Sequence, residues 1–480
     1  MKKLLIGIVI LLISILIIFA ILNNETDITI TFNNTEVTTK GDVLIKDNTV
    51  YIEKGGKYIL KGKAVGYKIE VNTKDAVELI LDNVSLENDK EIFDIKKSEN
   101  VILTINGENQ IISKEKQGIS SKATINIIGE GTFNIEANEG IIVDNNVSIK
   151  NAKLNINTIG DAIKTKNLKL NKAKINIKTN TDYILDDTNG RFTFKNNRYI
   201  KVAKTDLEQY DELYSLANSS KGLNVNGELM SSDTILEIDS IDDAINVSEK
   251  AVINKTTGTI YTNDDALTSE ISTHIDNSDL NIKTCYEGIE SENIIIENSN
   301  FKISGDDDAL NVVGDENIAS LMVKNSNIIV NVDGDGFDVS GRTDIINSNV
   351  YMSTGGDGLQ SVSLYIDASK VEVNVYDSEN FAFISTLDLL NGEVILAQKN
   401  SQFFLNSDYK DILEGIKTPY TYINGVNKFE IVDEENNEIL NIDNDYIHYI
   451  YINNEIEKDK TYYLVTEDSK EVLEFNNVVE

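Results

Sequence analysis

Carboxylates recur along this chain in step with a small residue followed by an aliphatic or aromatic one. The column just before that pair reads Gln117, Glu139, Asp161, Lys221, Asp243, Asp265, Glu287, Asp308, Asp335 and Asp357, of which eight are acids. The position before it adds Asp242, Asp264 and Asp307, and the one after the aliphatic residue adds Asn246, Glu290, Asn311, Asp338 and Gln360. If such residues stack at about 5 Å, bare carboxylates repel by roughly 1–3 kcal/mol per pair at intermediate dielectric. A cation is therefore expected between them. Calcium suits the pattern, because it takes six to eight oxygens from carboxylates, amides and carbonyls in irregular geometry. The candidate ligands are Asp161, Asp242, Asp243, Asp264, Asp265, Glu287, Asp307, Asp308, Asp335, Asp338 and Asp357. Zinc does not fit, since His274, His448 and Cys285 stand far apart without ligand spacing. Asp and Gly also favour turns for purely conformational reasons. The doubled Asp-Asp in three of the repeats exceeds what turn formation needs.

The elements that position these acids follow from the same period. Gly118, Gly140 and Ala162 are 22 residues apart, as are Gly222, Ala244, Ala266 and Gly288, followed by Ala309, Gly336 and Gly358. The long step from 309 to 336 holds Val313-Gly314-Asp315-Glu316-Asn317, which reads as a loop insertion. An asparagine series in the same phase, Asn151, Asn171, Asn254, Asn277, Asn298, Asn325 and Asn347, marks a turn, because asparagine tolerates left-handed backbone. Strict alternation follows each turn and points Phe301, Ile328, Val350, Ile303, Val330 and Met352 inward. Strands this short bury nothing alone, so successive coils must stack in parallel. The expected fold is all-β: a right-handed parallel β-helix of about 22 residues per coil. A string of β-sandwich hairpins would need Gly- or Pro-rich turns every 8 to 12 residues, and proline occurs once, at Pro419.

The flanks of this solenoid are different. Residues 4–22 are apolar, long enough to span a bilayer, and preceded by Lys2 and Lys3. Residues 1–24 are thus expected to be a membrane anchor or signal segment that places the rest on the extracellular face, or releases it if cleaved. The β-helix is expected over 25–382, with an irregular excursion at 191–220 carrying a short helix at 206–217, and a small β cap over 383–480. A formal charge of −35, from 44 basic and 79 acidic residues, excludes nucleic acid as a partner because phosphates would be repelled. The single cysteine excludes an internal disulfide.

Several motifs carry a family resemblance: Lys221-Gly-Leu-Asn-Val-Asn-Gly227, Asp242-Asp-Ala-Ile-Asn246, Tyr286-Glu-Gly-Ile-Glu-Ser291, Asp307-Asp-Ala-Leu-Asn311, Gly56-Lys-Tyr-Ile-Leu-Lys-Gly62 and Val77-Glu-Leu-Ile-Leu-Asp-Asn-Val84. The chain resembles the bacterial and archaeal carbohydrate-binding β-helix proteins that look like polysaccharide lyases. The resemblance runs roughly from residue 55 to 359 and implies a right-handed β-helix, calcium at the Asp-Asp turns, and binding of cellulose or polygalacturonate. This chain departs from it in having Asn-Ser-Asn where Ser-Gly-Gly is usual, and Glu, Lys or Gln in several turns.

The functional expectation is a non-catalytic, calcium-dependent protein of the cell surface that binds a cellulose-like or pectin-like polysaccharide. Tyr261, Tyr286 and Tyr351 offer ring faces, and Asn246 and Asn311 offer amides for sugar hydroxyls. The enzymatic alternative is a pectate-lyase type of elimination, in which calcium acidifies a proton and a basic residue removes it. Arg342 is the candidate base, with Lys164 and Lys221 as others. The third reading is a surface adhesin or scaffold that calcium merely stiffens and that contacts other surface proteins.

Overall fold

The computed structural model describes residues 27–34, 36–179, 191–195, 198–202, 219–377, 380, 382–399, 418–457 and 459–476. Among them every regular element is a strand, and the architecture is a β-solenoid with a spacing of about 22 residues. No helix of the described residues is long and apolar enough to cross a membrane. The expected anchor at 1–24 and the expected helix at 206–217 lie outside the described residues. The chain divides into two compact units, 1–184 with 192–242, and 185–191 with 243–480. That division falls inside the span expected as one β-helix.

Each coil has three strands, and each strand pairs in parallel with its counterpart one coil on. In the second unit a coil consists of Leu267–Ser269, Ser272–Asp276 and Asp279–Thr284, which lie on what we term the first, second and third faces. Leu267 pairs with Ile289, Ile289 with Leu310, Leu310 with Phe337 and Phe337 with Leu359 on the first face. In the first unit the corresponding line is Ile69, Phe93, Ile119, Ile141, Ile163 and Leu223.

Alternation on the third face does what the pattern demanded. Phe301, Ile328 and Val350 are in register and buried, as are Ile303, Val330 and Met352. Burying one such side chain contributes about 1.5–3 kcal/mol, and a lone strand of six residues has too few of them to offset its ordering entropy. The insertion at 313–319 forms a surface turn in which the N–H groups of Ile318 and Ala319 both donate to the Asp315 carbonyl at 2.8 Å.

The turn between the second and third faces is left-handed at Asn151, Asn277, Asn298, Asn325 and Asn347, with φ from 48 to 56°. In two coils the expectation was one residue early. Lys172 and Lys255 take the left-handed position in place of Asn171 and Asn254, at φ 50 and 47°. What fixes the register is the small buried residue that follows, Ala173 or Thr256 in those coils. In the coils after Thr256 that residue is a serine, and the serines form a ladder. The N–H of Thr256 donates to Ser278 Oγ, that of Ser278 to Ser299, of Ser299 to Ser326 and of Ser326 to Ser348, each at 3.1 Å. Each of these hydroxyls donates in turn to the carbonyl two residues back. These buried hydroxyls and the N–H groups they accept from are thereby satisfied, which matters because leaving one unmade costs about 1–3 kcal/mol.

Both termini of the strand stacking turn antiparallel. Ile28–Asn34 pairs antiparallel with Glu36–Lys40. At the other end Phe383–Gln398 continues the parallel stack on one side and pairs antiparallel with His448–Asn453 on the other. A four-stranded antiparallel sheet of Lys428–Val432, Glu438–Asp443, Tyr462–Val465 and Lys470–Leu473 follows. Ile423, Phe429, Ile431, Tyr449 and Tyr451 share its buried apolar cluster.

Candidate functional site

The acids collect at the corner where the third face turns into the first. Within the second unit the backbone stacks this column directly: Ala266 N–H donates to the Glu287 carbonyl, Gly288 to Asp308, Ala309 to Asp335 and Gly336 to Asp357, at 2.8 to 3.0 Å. The side chains extend the stacking. Asp265 Oδ1 accepts the N–H of Glu287 at 3.2 Å, Asp308 Oδ1 that of Asp335 at 2.7 Å, and Asp335 Oδ1 that of Asp357 at 2.6 Å. Small residues are required here because a Cβ on Gly288 would run into the Ala309 carbonyl, and one on Gly356 into the Asp335 carboxylate.

Two acid clusters result. Oxygens of Asp265, Glu287 and Glu290 lie within 4.8 Å of one another, and so do those of Asp308, Asp335 and Asp338. Glu290, Asn311, Asp338 and Gln360 are in register along the first face. Thr268 donates to Asp265 at 3.1 Å, Asn311 to both oxygens of Glu287 at 3.1 Å, and Gln360 to Asp338 at 3.0 Å. Among the described residues no lysine or arginine forms an ion pair with any of these six acids.

The electrostatic consequence is large. Burial, and then the charge of Asp243, push the Asp265 carboxyl up to about 7. Burial and Asp265 push Glu287 to about 8, against the opposing bond from Asn311. Burial outweighs the backbone bond from Asp335 and raises Asp308 to about 7, and burial likewise raises Asp335 to about 6. Asp338 is raised by burial. An all-oxygen set of half-buried carboxylates with neighbouring amides is the donor chemistry of a hard divalent cation. Asp265, Glu287, Glu290, Asp308, Asp335 and Asp338 are the residues that could hold one.

The equivalent corner in the first unit is filled differently. Glu91 stands in the acid column, and Glu70 and Asp94 stand in register on the first face. Lys68 Nζ lies 3.0 Å from Glu91, 3.3 Å from Asp94 and 3.7 Å from Glu70, and Lys96 Nζ lies 2.7 Å from Glu70. The opposing charges of Glu91 and Asp94 overcome burial and raise the Lys68 ammonium; Glu91 is lowered because its backbone bond and Lys68 overcome its own burial. Further along, the Gln117 amide donates to Glu139. Asp161 is 1% exposed and takes donors from Ser219 Oγ at 2.6 Å, Lys221 N at 3.0 Å and Asn224 Nδ2 at 2.8 Å. Asp242 accepts the N–H of Ser220 at 3.2 Å and pairs with Lys221 Nζ at 2.7 Å.

Sequence reasoning missed Glu70, Glu91 and Asp94 because the steps from 69 to 93 and from 93 to 119 are longer than the 22-residue period. An acid two residues before Phe93 was the available signal.

The remaining candidates are placed as follows. Asn246 donates to Asp243 at 3.0 Å, so it and Asn311 are both engaged with the acids. Asp264 and Asp307 are half-buried at the same corner, where the N–H of Tyr286 donates to the Asp264 carbonyl at 2.9 Å. Tyr261 is 44% exposed on the third face. It pairs with Thr284 across a bulge, and Tyr351, half-buried, pairs with Ile329 and Glu372 coils further on, so the two rings form no common platform. Arg342 is held on the second face, its Nε 2.7 Å from Asp344 and its guanidinium 5.4 Å from the Tyr365 ring centre.

The model of a family described as carbohydrate-binding domain-containing protein matches residues 46–182 and, offset, 98–266. Overlapping matches are what a run of similar coils produces. Neither the curated proteins nor the solved structures contain a significant match.

Proposed function

Given that residues 46–266 belong to the carbohydrate-binding domain-containing protein family, we propose that the chain is a non-catalytic protein of the cell surface that binds polysaccharide with the help of calcium. The carbohydrate-binding role rests on the family and has a polysaccharide as its partner. The calcium dependence is our own reading. The observation that carries it is the pair of three-carboxylate clusters, each within 4.8 Å, in which burial, and then neighbouring acids, push Asp265, Glu287 and Asp308 up to about 7, 8 and 7. Asp265, Glu287 and Glu290 would hold one ion and Asp308, Asp335 and Asp338 another. When bound, calcium would supply the missing positive charge and open coordination positions for the carboxylate of an acidic sugar.

The chain's own part is to fix the acids on stacked turns, where Asp265, Asp308 and Asp335 each accept a backbone N–H of the next coil and Glu287 and Asp338 are held by the amides of Asn311 and Gln360. The lyase alternative requires a base that converges with the metal. Arg342, on the second face, is taken up by Asp344 and Tyr365, which favours binding without chemistry. The surface location is supported by the apolar run at residues 4–22 with its flanking lysines.

The test is a calcium titration of the protein followed by thermal melting, and by pull-down on polygalacturonate and cellulose with and without chelator. A calcium-dependent rise in melting temperature together with chelator-sensitive glycan binding is the expected result. If neither responds to calcium, the acids are turn residues, and an adhesin or scaffold role replaces the calcium reading.

A further inference from the structure

Lysines are segregated in this acidic chain. Between residues 145 and 179 there are eight lysines and one acid, Asp161, which is itself buried. Lys164 lies 3.7 Å from Asp161 and Lys178 lies 3.8 Å from Asp239. Lys150, Lys153, Lys166, Lys169, Lys172 and Lys174 are all exposed, and none makes an ion pair among the described residues. Elsewhere lysines such as Lys61, Lys68, Lys96 and Lys114 pair with carboxylates. What sets this group apart is its composition, eight lysines to one acid within a chain of 44 basic and 79 acidic residues.

The fold gathers most of these lysines at one corner. The chain turns from second to third face at Asn151 and again, one coil on, at Lys172. Lys150 and Lys153 flank the first turn, and Lys169 and Lys174 flank the second. On the third face Lys153 pairs directly with Lys174, and Asn155 with Asn176. Like charges opposite one another on neighbouring strands are unfavourable. Beside them runs an amide row, in which Asn155 Nδ2 donates to Asn134 Oδ1 at 2.7 Å. Along one strand Lys174 and Lys178 stand about 13 Å apart at about 3.3 Å per residue, with Asn176 between them.

We propose that this two-coil strip binds an anionic polysaccharide whose sugars carry carboxylates. The ammonium groups at Lys153, Lys172, Lys174 and Lys178 would meet the carboxylates, and Asn155 and Asn176 the ring hydroxyls. The strip is narrow, with Glu136 in register on one side and Glu237 and Asp239 on the other. A single extended glycan chain fits between those acids, whereas the wider phosphate field of a duplex would meet them. The whole strip lies inside the residues that the family model matches. The inference rests on the carbohydrate-binding reading, and it is independent of the acid corners.

The experiment compares polygalacturonate with its fully methyl-esterified form, which keeps the sugar and removes the charge. Binding of the full chain is measured by calorimetry in chelator, so that any ion-dependent contribution of the acid corners is removed. The wild type should hold the acid form at least about tenfold more tightly than the ester, a difference of about 1.4 kcal/mol. The triple variant Lys153→Gln, Lys172→Gln, Lys174→Gln should lose that preference while melting as the wild type does, since all three side chains are exposed. Replacement by arginine should restore it. Equal binding of acid and ester by the wild type, or a triple variant that keeps the preference, overturns the strip and leaves the carbohydrate reading standing. Duplex DNA held as tightly as polygalacturonate overturns the assignment of the ligand class. Failure to bind any glycan, with or without calcium, removes the carbohydrate reading and the strip with it.

Discussion

The same corner of the coil is built twice in this protein, with opposite solutions. In the first unit Glu70, Glu91 and Asp94 surround Lys68, with Lys96 beside them. In the second unit Asp308, Asp335 and Asp338 converge with no lysine or arginine paired to them among the described residues. The first arrangement carries its counter-charge covalently and is complete when the chain folds. The second is completed only by something the solution provides, or by protons. Their pH responses therefore run in opposite directions. Glu91 is lowered by folding, so its contribution is present at neutral pH and is lost as pH falls through its folded value. Asp265, Glu287, Asp308 and Asp335 are raised to between about 6 and about 8, so their corner is most stable in acid and loses stability as pH rises through that range.

The largest expected effect is that of calcium on the second unit. At a hundredfold excess over its dissociation constant one bound ion stabilises by about 2.7 kcal/mol, and melting followed by circular dichroism should rise accordingly. No shift, or an equal shift after Asp308→Asn with Asp335→Asn, would sink the comparison on the calcium side. Next comes Lys68→Met, which turns the first corner into an uncompensated one. Its side chain is only 17% exposed, and the loss should be about 2 kcal/mol, below the roughly 3–5 kcal/mol of a fully buried pair. Denaturant unfolding at pH 7 measures it, and the loss should shrink near pH 4, where the acids protonate; a loss that is unchanged there would assign the effect to packing.

A third test raises pH from 5 to 8 in chelator. Each carboxyl of the second corner that must ionise in its folded site costs up to about 1.4 kcal/mol per pH unit, so melting should fall across this range and calcium should abolish the fall. A flat or rising profile in chelator contradicts the raised acids. The smallest effect is that of Asp308→Asn alone. In chelator it removes one repelling charge while its amide oxygen still accepts the Asp335 N–H, and it should stabilise by up to about 1 kcal/mol. Destabilisation of that size or more would mean that the carboxylate is held by a charge the structure does not contain.

Much of this was legible in advance. The inward positions from Phe301 to Met352 followed from alternation, and the acid column from Gln117 to Asp357 from the period, because a stacked coil repeats the environment of each position. In the coils before Gly118 the charged corner was not legible, since their different lengths put Glu91 and Lys68 out of phase with the later acids. The left-handed turns at Lys172 and Lys255 were misplaced by one residue for a related reason. Asparagine is the commoner left-handed residue, but the buried Ala173 and Thr256 that follow decide where the chain can bend inward.

The sequence by itself determined the solenoid, its period and its buried faces. Short alternating strands with one small residue per turn have only one economical way to bury their apolar sides, and that is against copies of themselves. Tertiary structure alone decided which acids keep a cation and which do not. Lys68 reaches Glu91 and Asp94, 23 and 26 residues away, only once coils of unequal length are in register. The same registration set Lys153 on Lys174 and Ser278 on Ser299. Charge balance is a property of neighbours across coils, and in a chain of unequal coils those neighbours are fixed by stacking and not by spacing along the sequence.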